Sequence, residues 1–283
     1  MSSDPSDATA SNQFVETAID RGVATVTFSH DPINLLDIEV LRELAPTLRE
    51  LAIDDDVRAV VLRSANPEWF IAHFDVAEIL EQPWDSPAPT DISGFHRMTE
   101  VLRTMPKPTI ADIRGRVGGG GSEVALSCDM RFATPDAIFN QPEVALGIIP
   151  GGSGTVRLPR LVGRSRALEA ILGCDDIDAA TAERWGWINR MLPADEIGEF
   201  VDGLARRIAS FPRDAVAAAK LCVIEAEQSV VEHLRSETAA FDALASQPEA
   251  QAAMRAFLSG GGQTAEGERR LGALLGELGS PPA

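Results

Sequence analysis

The chain has 283 residues, 45% of them hydrophobic, and a formal charge of −18 at pH 7. That composition supports a large buried core, and the acidity argues against nucleic acid or an anionic membrane surface as partner. No apolar run approaches the ~20 residues that cross a bilayer, and MSSDPSDATASNQ carries neither a basic nor an apolar leader segment, so residues 1–12 are expected to be a disordered tail and the protein cytoplasmic.

Val23–Ser29 alternates apolar and small polar residues and predicts a strand. Leu41, Leu44, Leu48 and Leu51 recur at spacings of three and four, which predicts an amphipathic helix over Ile38–Ile53. Val57–Leu62 (VRAVVL) is a continuous apolar run, as in a strand buried on both faces. Pro108–Ile113 reads as a further strand, Val124–Cys128 as the start of a helix, and Met130–Ala133 as another strand. Strands alternating with helices predict an α/β fold with right-handed crossovers. Beyond Leu192 the chain turns rich in Ala, Glu and Arg with helical periodicity. Pro212 is expected near a helix start, Gly260–Gly262 as a break, and one short helix over Glu266–Leu278.

Cys128, Cys174 and Cys222 are far apart and odd in number, and the four histidines are scattered. Reduced thiols and no metal site are the expectation. Chemistry concentrates elsewhere. Gly115–Glu123 reads GRVGGGGSE, four consecutive glycines between a strand and a helix. Unshielded amides at a helix start can bind phosphate or a developing oxyanion, while the bland alternative is a tight turn. Glu123, expected on the first helical turn, is either a surface cap or a buried acid. Pro142 presents Glu143 on a rigid loop, and a second glycine-rich stretch, Gly147–Thr155, leads into another helix.

Together these pieces are specific. Pro108–Leu161 strongly resembles the enoyl-CoA hydratase/isomerase, or crotonase, family, and the likeness extends over about Phe14–Leu192, including FIAHFDV at Phe70–Val76. The resemblance implies a crotonase-type spiral core of repeated ββα units over residues 13–192 and a helical C-terminal region over 193–283, assembled as a homotrimer or a dimer of trimers. It implies that two backbone N–H groups polarise a thioester carbonyl. One belongs to the third residue of Ala72-His73-Phe74-Asp75, the other to Gly120, and Ala72, His73, Asp75, Gly119, Pro142 and Gly151 line the substrate site around them. Hydratases of the family use two glutamates, here Glu123 and Glu143. The implied activity is addition of water to a 2-enoyl-CoA, or its reverse, with CoA entering as part of the substrate and no other cofactor.

The sequence departs from the family pattern in several places. A family glycine is His73 here, the oxyanion residue is the bulky Phe74, and two positions that often hold CoA-binding lysines are Ile33 and Ala77. The C-terminal phenylalanine–lysine signature is reduced to Phe257 followed by Leu-Ser-Gly-Gly-Gly. Arg114 and Arg116 are candidates to replace the lysines, or are solvated loop charges. His73 is either an active-site group or a packing substitution. Double-bond isomerisation, C–C hydrolysis of a diketone without CoA, and a non-catalytic assembly role stand as alternatives.

Overall fold

The computed structural model describes residues 13–82, 91–227 and 230–278. The expected tail over 1–12 and the last five residues lie outside them. The chain opens with an antiparallel pair, β1 (Val15–Asp20) and β2 (Val23–Phe28), followed by α1 (Ile38–Ile53). The leucine spacing is realised in α1: Leu44, Leu48 and Leu51 are buried, and Asp37 caps the helix by accepting from Val40 N at 2.8 Å.

Next come β3 (Ala59–Ser64), β4 (Trp69–Ile71), α2 (Val76–Glu81) and α3 (Gly94–Thr104). They are followed by β5 (Thr109–Ile113), β6 (Arg116–Gly118), α4 (Gly119–Ser127), β7 (Met130–Ala133) and β8 (Ile138–Asn140). Each of three successive units sends its first strand to one sheet and its second to another. The larger sheet has the order β1-β2-β3-β5-β7, parallel from β2 onward, and the smaller one begins β4-β6-β8. A 3-10 turn (Glu143–Leu146), α5 (Gly154–Val162) and α6 (Arg164–Gly173) follow. Then β9 (Ile177–Asp178), α7 (Ala179–Trp185) and β10 (Arg190–Met191) complete the sheets. This is a crotonase-type spiral of ββα units.

Strand β3 explains the continuous apolar run. Val60 and Leu62 point into the main core between the sheets, while Val61 meets α8 (Ile197–Ala209) on the outer face. Four more helices follow: α9 (Arg213–Glu225), α10 (Val230–Ala245), α11 (Pro248–Ser259) and α12 (Ala265–Arg269), with α13 (Leu271–Leu278) behind them. Helices α11 and α13 fold back on the spiral, where Met254, Phe257, Leu271 and Leu274 share a core with Val76, Ile79 and Ile148. The expected single helix over Glu266–Leu278 is two, α12 and α13, interrupted at Arg270. Among the described residues no helix is long and apolar enough to cross a membrane.

Candidate active site

The glycine run is not a flexible turn. Its glycines form the end of β6 and the first turn of α4, so the helix starts at Gly119 and not, as the propensities predict, near Val124. Close packing overrides glycine's poor helix propensity. A Cβ at Gly121 would stand 2.3 Å from the Ile71 carbonyl oxygen, so α4 lies directly on the strand that leads into Ala72–Asp75. At Gly120 a Cβ would meet Phe74 Cβ at 3.1 Å and Phe74 N at 3.4 Å. The Gly120 and Phe74 backbones therefore lie close, and a side chain at position 120 would press on Phe74.

The Phe74 amide is aimed by its neighbours. Leu36 N donates to the His73 carbonyl at 2.9 Å, and Asp75 N donates to the Leu36 carbonyl at 2.9 Å. Strand-like alternation then turns Phe74 N away from Leu36, toward Gly120 and the cavity. Ala72 N is taken by the Ile33 and Asn34 carbonyls. Asp75 caps α2 through Ala77 N and Glu78 N, and its carboxylate also accepts from the Gln263 side chain at 3.0 Å.

Both glutamates reach the same cavity of about 270 Å³, which Phe74, Gly120, His73 and Pro142 also line. Glu123 lies in the second turn of α4 and is 3% exposed, so the surface-cap reading gives way to a buried acid. One oxygen accepts from Gly152 N and Gly154 N, both at 2.8 Å. The glycine-rich stretch after Pro150 thus serves as a backbone cradle for this carboxyl. A Cβ at Gly152 would stand 2.3 Å from its other oxygen. Gly151 lines the same cavity and gives room to the Phe241 ring of α10. Glu143 opens the 3-10 turn after Pro142 and is 8% exposed, and its Oε2 has no hydrogen-bond partner among the described residues.

Burial raises both acids. Glu123 is pushed well above the usual carboxylate range by desolvation and then by the charges of Glu143 and Glu237, while the two glycine amides pull the other way. Glu143 is pushed up to about 8 by desolvation, with its own backbone amide and His73 opposing. The pair thus holds a proton near neutrality, as two interacting buried carboxyls do.

Two arrangements were not legible in the sequence. His73 is buried against the site, its Nε2 3.0 Å from Glu268 Oε1 on α12. His96 of α3 is 3.1 Å from Glu237 of α10, whose other oxygen accepts from Thr155 N at 3.0 Å. Each joins residues more than 140 positions apart, a separation at which no local spacing signals a partner.

The arginines suggested as CoA contacts are engaged elsewhere. Arg116 is buried and grips Asp176 with two bonds of 2.7 Å, and Arg114 is held by Asp112. Ile33 is fully buried. No described Lys or Arg lines the cavity, whose walls include Ile79, Ile148 and Phe257. No described group of three or more His, Cys, Asp or Glu is placed to hold a metal ion.

A spiral of ββα units with two buried glutamates lining one cavity together with Phe74 and Gly120 defines an enzyme of the crotonase class. The chain belongs to the enoyl-CoA hydratase/isomerase family, whose profile matches residues 18–263. It is 34% identical over 238 residues to the short-chain-enoyl-CoA hydratase of Clostridium acetobutylicum, covering 83% of this chain and 91% of that one. A crystal structure of a candidate enoyl-CoA hydratase from Streptomyces avermitilis superposes with a TM-score of 0.86 at 39% identity, over 95% of this chain and 99% of that one. An enoyl-CoA hydratase from Mycobacterium avium subsp. paratuberculosis gives 0.78 at 25% identity, over 88% and 100%.

Proposed function

We propose that the enzyme adds water across the conjugated double bond of a 2-enoyl thioester, or removes it from the 3-hydroxyacyl thioester. The observation that carries this reading is the convergence of Glu123 and Glu143 on the cavity that Phe74 and Gly120 line. The two amides would hold the thioester oxygen as charge develops on it. One carboxylate takes a proton from water, and a carboxyl delivers a proton to the α-carbon. A double-bond isomerase needs one base, so two carboxyls on one cavity favour hydration. Assaying crotonyl-CoA beside a cyclic β-diketone tests the assignment: 3-hydroxybutyryl-CoA as product supports it, and ring cleavage with no hydration would replace it with the hydrolase reading.

CoA recognition is expected to rest on pantetheine and acyl group, because Arg114 and Arg116 are committed to Asp112 and Asp176. Each exposed phosphate contact contributes on the order of 0.2–1 kcal/mol, so the loss of two or three weakens binding by roughly one or two powers of ten. The Kd of an acyl-CoA and that of the matching acyl-pantetheine should lie close together and change little with salt. A large preference for full CoA that vanishes at high salt would contradict this.

The assembly we propose is a homotrimer or a dimer of trimers. No residue of α9 is buried, and its Leu221 and Val223 are 54% and 71% exposed. Such apolar exposure along a helix fits burial against another copy. Light scattering at micromolar concentration should report three or six chains, and a stable monomer would refute the proposal.

A further inference from the structure

Both ring nitrogens of His73 face acceptors. Nδ1 lies 2.9 Å from the Phe74 carbonyl oxygen and Nε2 3.0 Å from Glu268 Oε1. Beside an ionised Glu268, a neutral imidazole, with its single N–H, would leave one nitrogen's lone pair against an oxygen lone pair. The ring that satisfies both contacts is the imidazolium. His96 makes a useful contrast. It also meets a glutamate through Nε2, but its Nδ1 faces the hydroxyls of Ser93 at 3.1 Å and Thr238 at 3.0 Å, groups that can donate as well as accept. The two histidine–glutamate pairs are alike in composition and differ in what faces Nδ1, a carbonyl acceptor at His73 and hydroxyls at His96.

We propose that His73 is a positioning residue of this site: a buried cation, kept charged by Glu268 of α12, that fixes the peptides around the Phe74 amide and favours the ionised form of Glu143. The inference deepens the hydration reading and rests on it for its catalytic half. Three contacts bracket the amide. The His73 carbonyl is tied to Leu36 N, its ring is tied to the Phe74 carbonyl, and Asp75 N is tied to the Leu36 carbonyl. His73 and Glu143 also meet across Gly119, where a Cβ would stand 3.1 Å from His73 Cβ and 3.0 Å from Glu143 Oε1.

The charges around His73 support the same assignment. Glu268 is buried, its Oε1 also accepts from Gln263 N at 2.8 Å, and its carboxyl is held below the usual range, chiefly by His73 against the cost of burial. Although burial alone would lower His73, Glu268 and then the Phe74 carbonyl and Glu143 raise it above the ordinary imidazole value. Asp75 is occupied with Ala77 N, Glu78 N and Gln263, Arg116 with Asp176, and the Phe257 ring packs edge-on at 5.9 Å. Glu237, from α10, acts on Glu143 and opposes His73 there. Because Glu268 comes from the C-terminal segment, docking of α12 would complete the charge balance of the site.

Long-range ¹H–¹⁵N spectra of the histidine rings test the charge directly on the intact protein, with its four histidines assigned by single substitution. His73 should show two imidazolium nitrogens at pH 7.5 and become neutral in Glu268→Gln. In the same variant, and in His73→Gln, removal of the cation raises Glu143, so the acid limb of kcat/KM should move up by roughly one to two pH units. Glu268→Asp, which keeps the negative charge, should leave the limb near its original place. A neutral His73 in the parent at pH 7.5 would overturn the inference, as would a rate loss equal at every pH in Glu268→Gln. Parent enzyme that hydrates no enoyl thioester would instead sink the proposed reaction, since the spectra require no substrate.

Discussion

Glu123→Gln and Glu143→Gln are each expected to lower kcat for hydration by ~10²–10⁴, the range for positioned acid–base groups. Gln keeps the shape of the side chain and its hydrogen-bonding oxygen, so Gly152 N and Gly154 N retain a partner at position 123. What it loses is the proton that moves. Because the two carboxyls act as a unit, the double variant should fall little below the worse single one. Steady-state rates on the enoyl thioester, with circular dichroism to verify folding, decide the matter. Near-parental turnover in either single variant would end the two-glutamate mechanism.

The same substitutions should stabilise the protein, and the gain should grow with pH. Glu143 titrates at about 8 when folded, against an ordinary value of 4.5. Its raised folded value makes the native state the better proton binder between those two pH values. Its contribution is therefore fully present below about 4.5 and is lost as pH rises through about 8. Gln has no proton to lose. Glu143→Gln should thus match the parent at pH 5 and exceed it at pH 8 by roughly 2–4 kcal/mol, the upper part of what the shift allows for an interacting pair. Thermal unfolding at fixed protein concentration reads this as a Tm difference of several degrees that opens between those pH values. A difference independent of pH would mean that Glu143 is not a neutralised buried acid.

That trade of stability for chemistry bears on what the sequence revealed. Glu123 and Glu143 were legible because they sit in long specific segments, GRVGGGGSE and NQPEVALG, and the amphipathic α1 and the buried β3 because their apolar periods are regular. The smaller sheet was not, because β4, β6 and β8 are three residues each, too short for alternation to register. The start of α4 was misplaced because four glycines read as a turn until the Ile71 backbone is laid against them. The surroundings of His73 were hidden for a different reason. Its partner Glu268 stands 195 residues away in a short helix whose sequence, AEGER, carries no distinguishing pattern.

The most direct measurement is a crystal structure of the enzyme with a bound 3-hydroxyacyl-CoA. The thioester oxygen is expected at ~3 Å from both Phe74 N and Gly120 N, a distance at which such donors stabilise developing charge, with the 3-hydroxyl between the Glu123 and Glu143 carboxyls. A thioester oxygen bound away from those two amides, or a 3-hydroxyl remote from both glutamates, would contradict it.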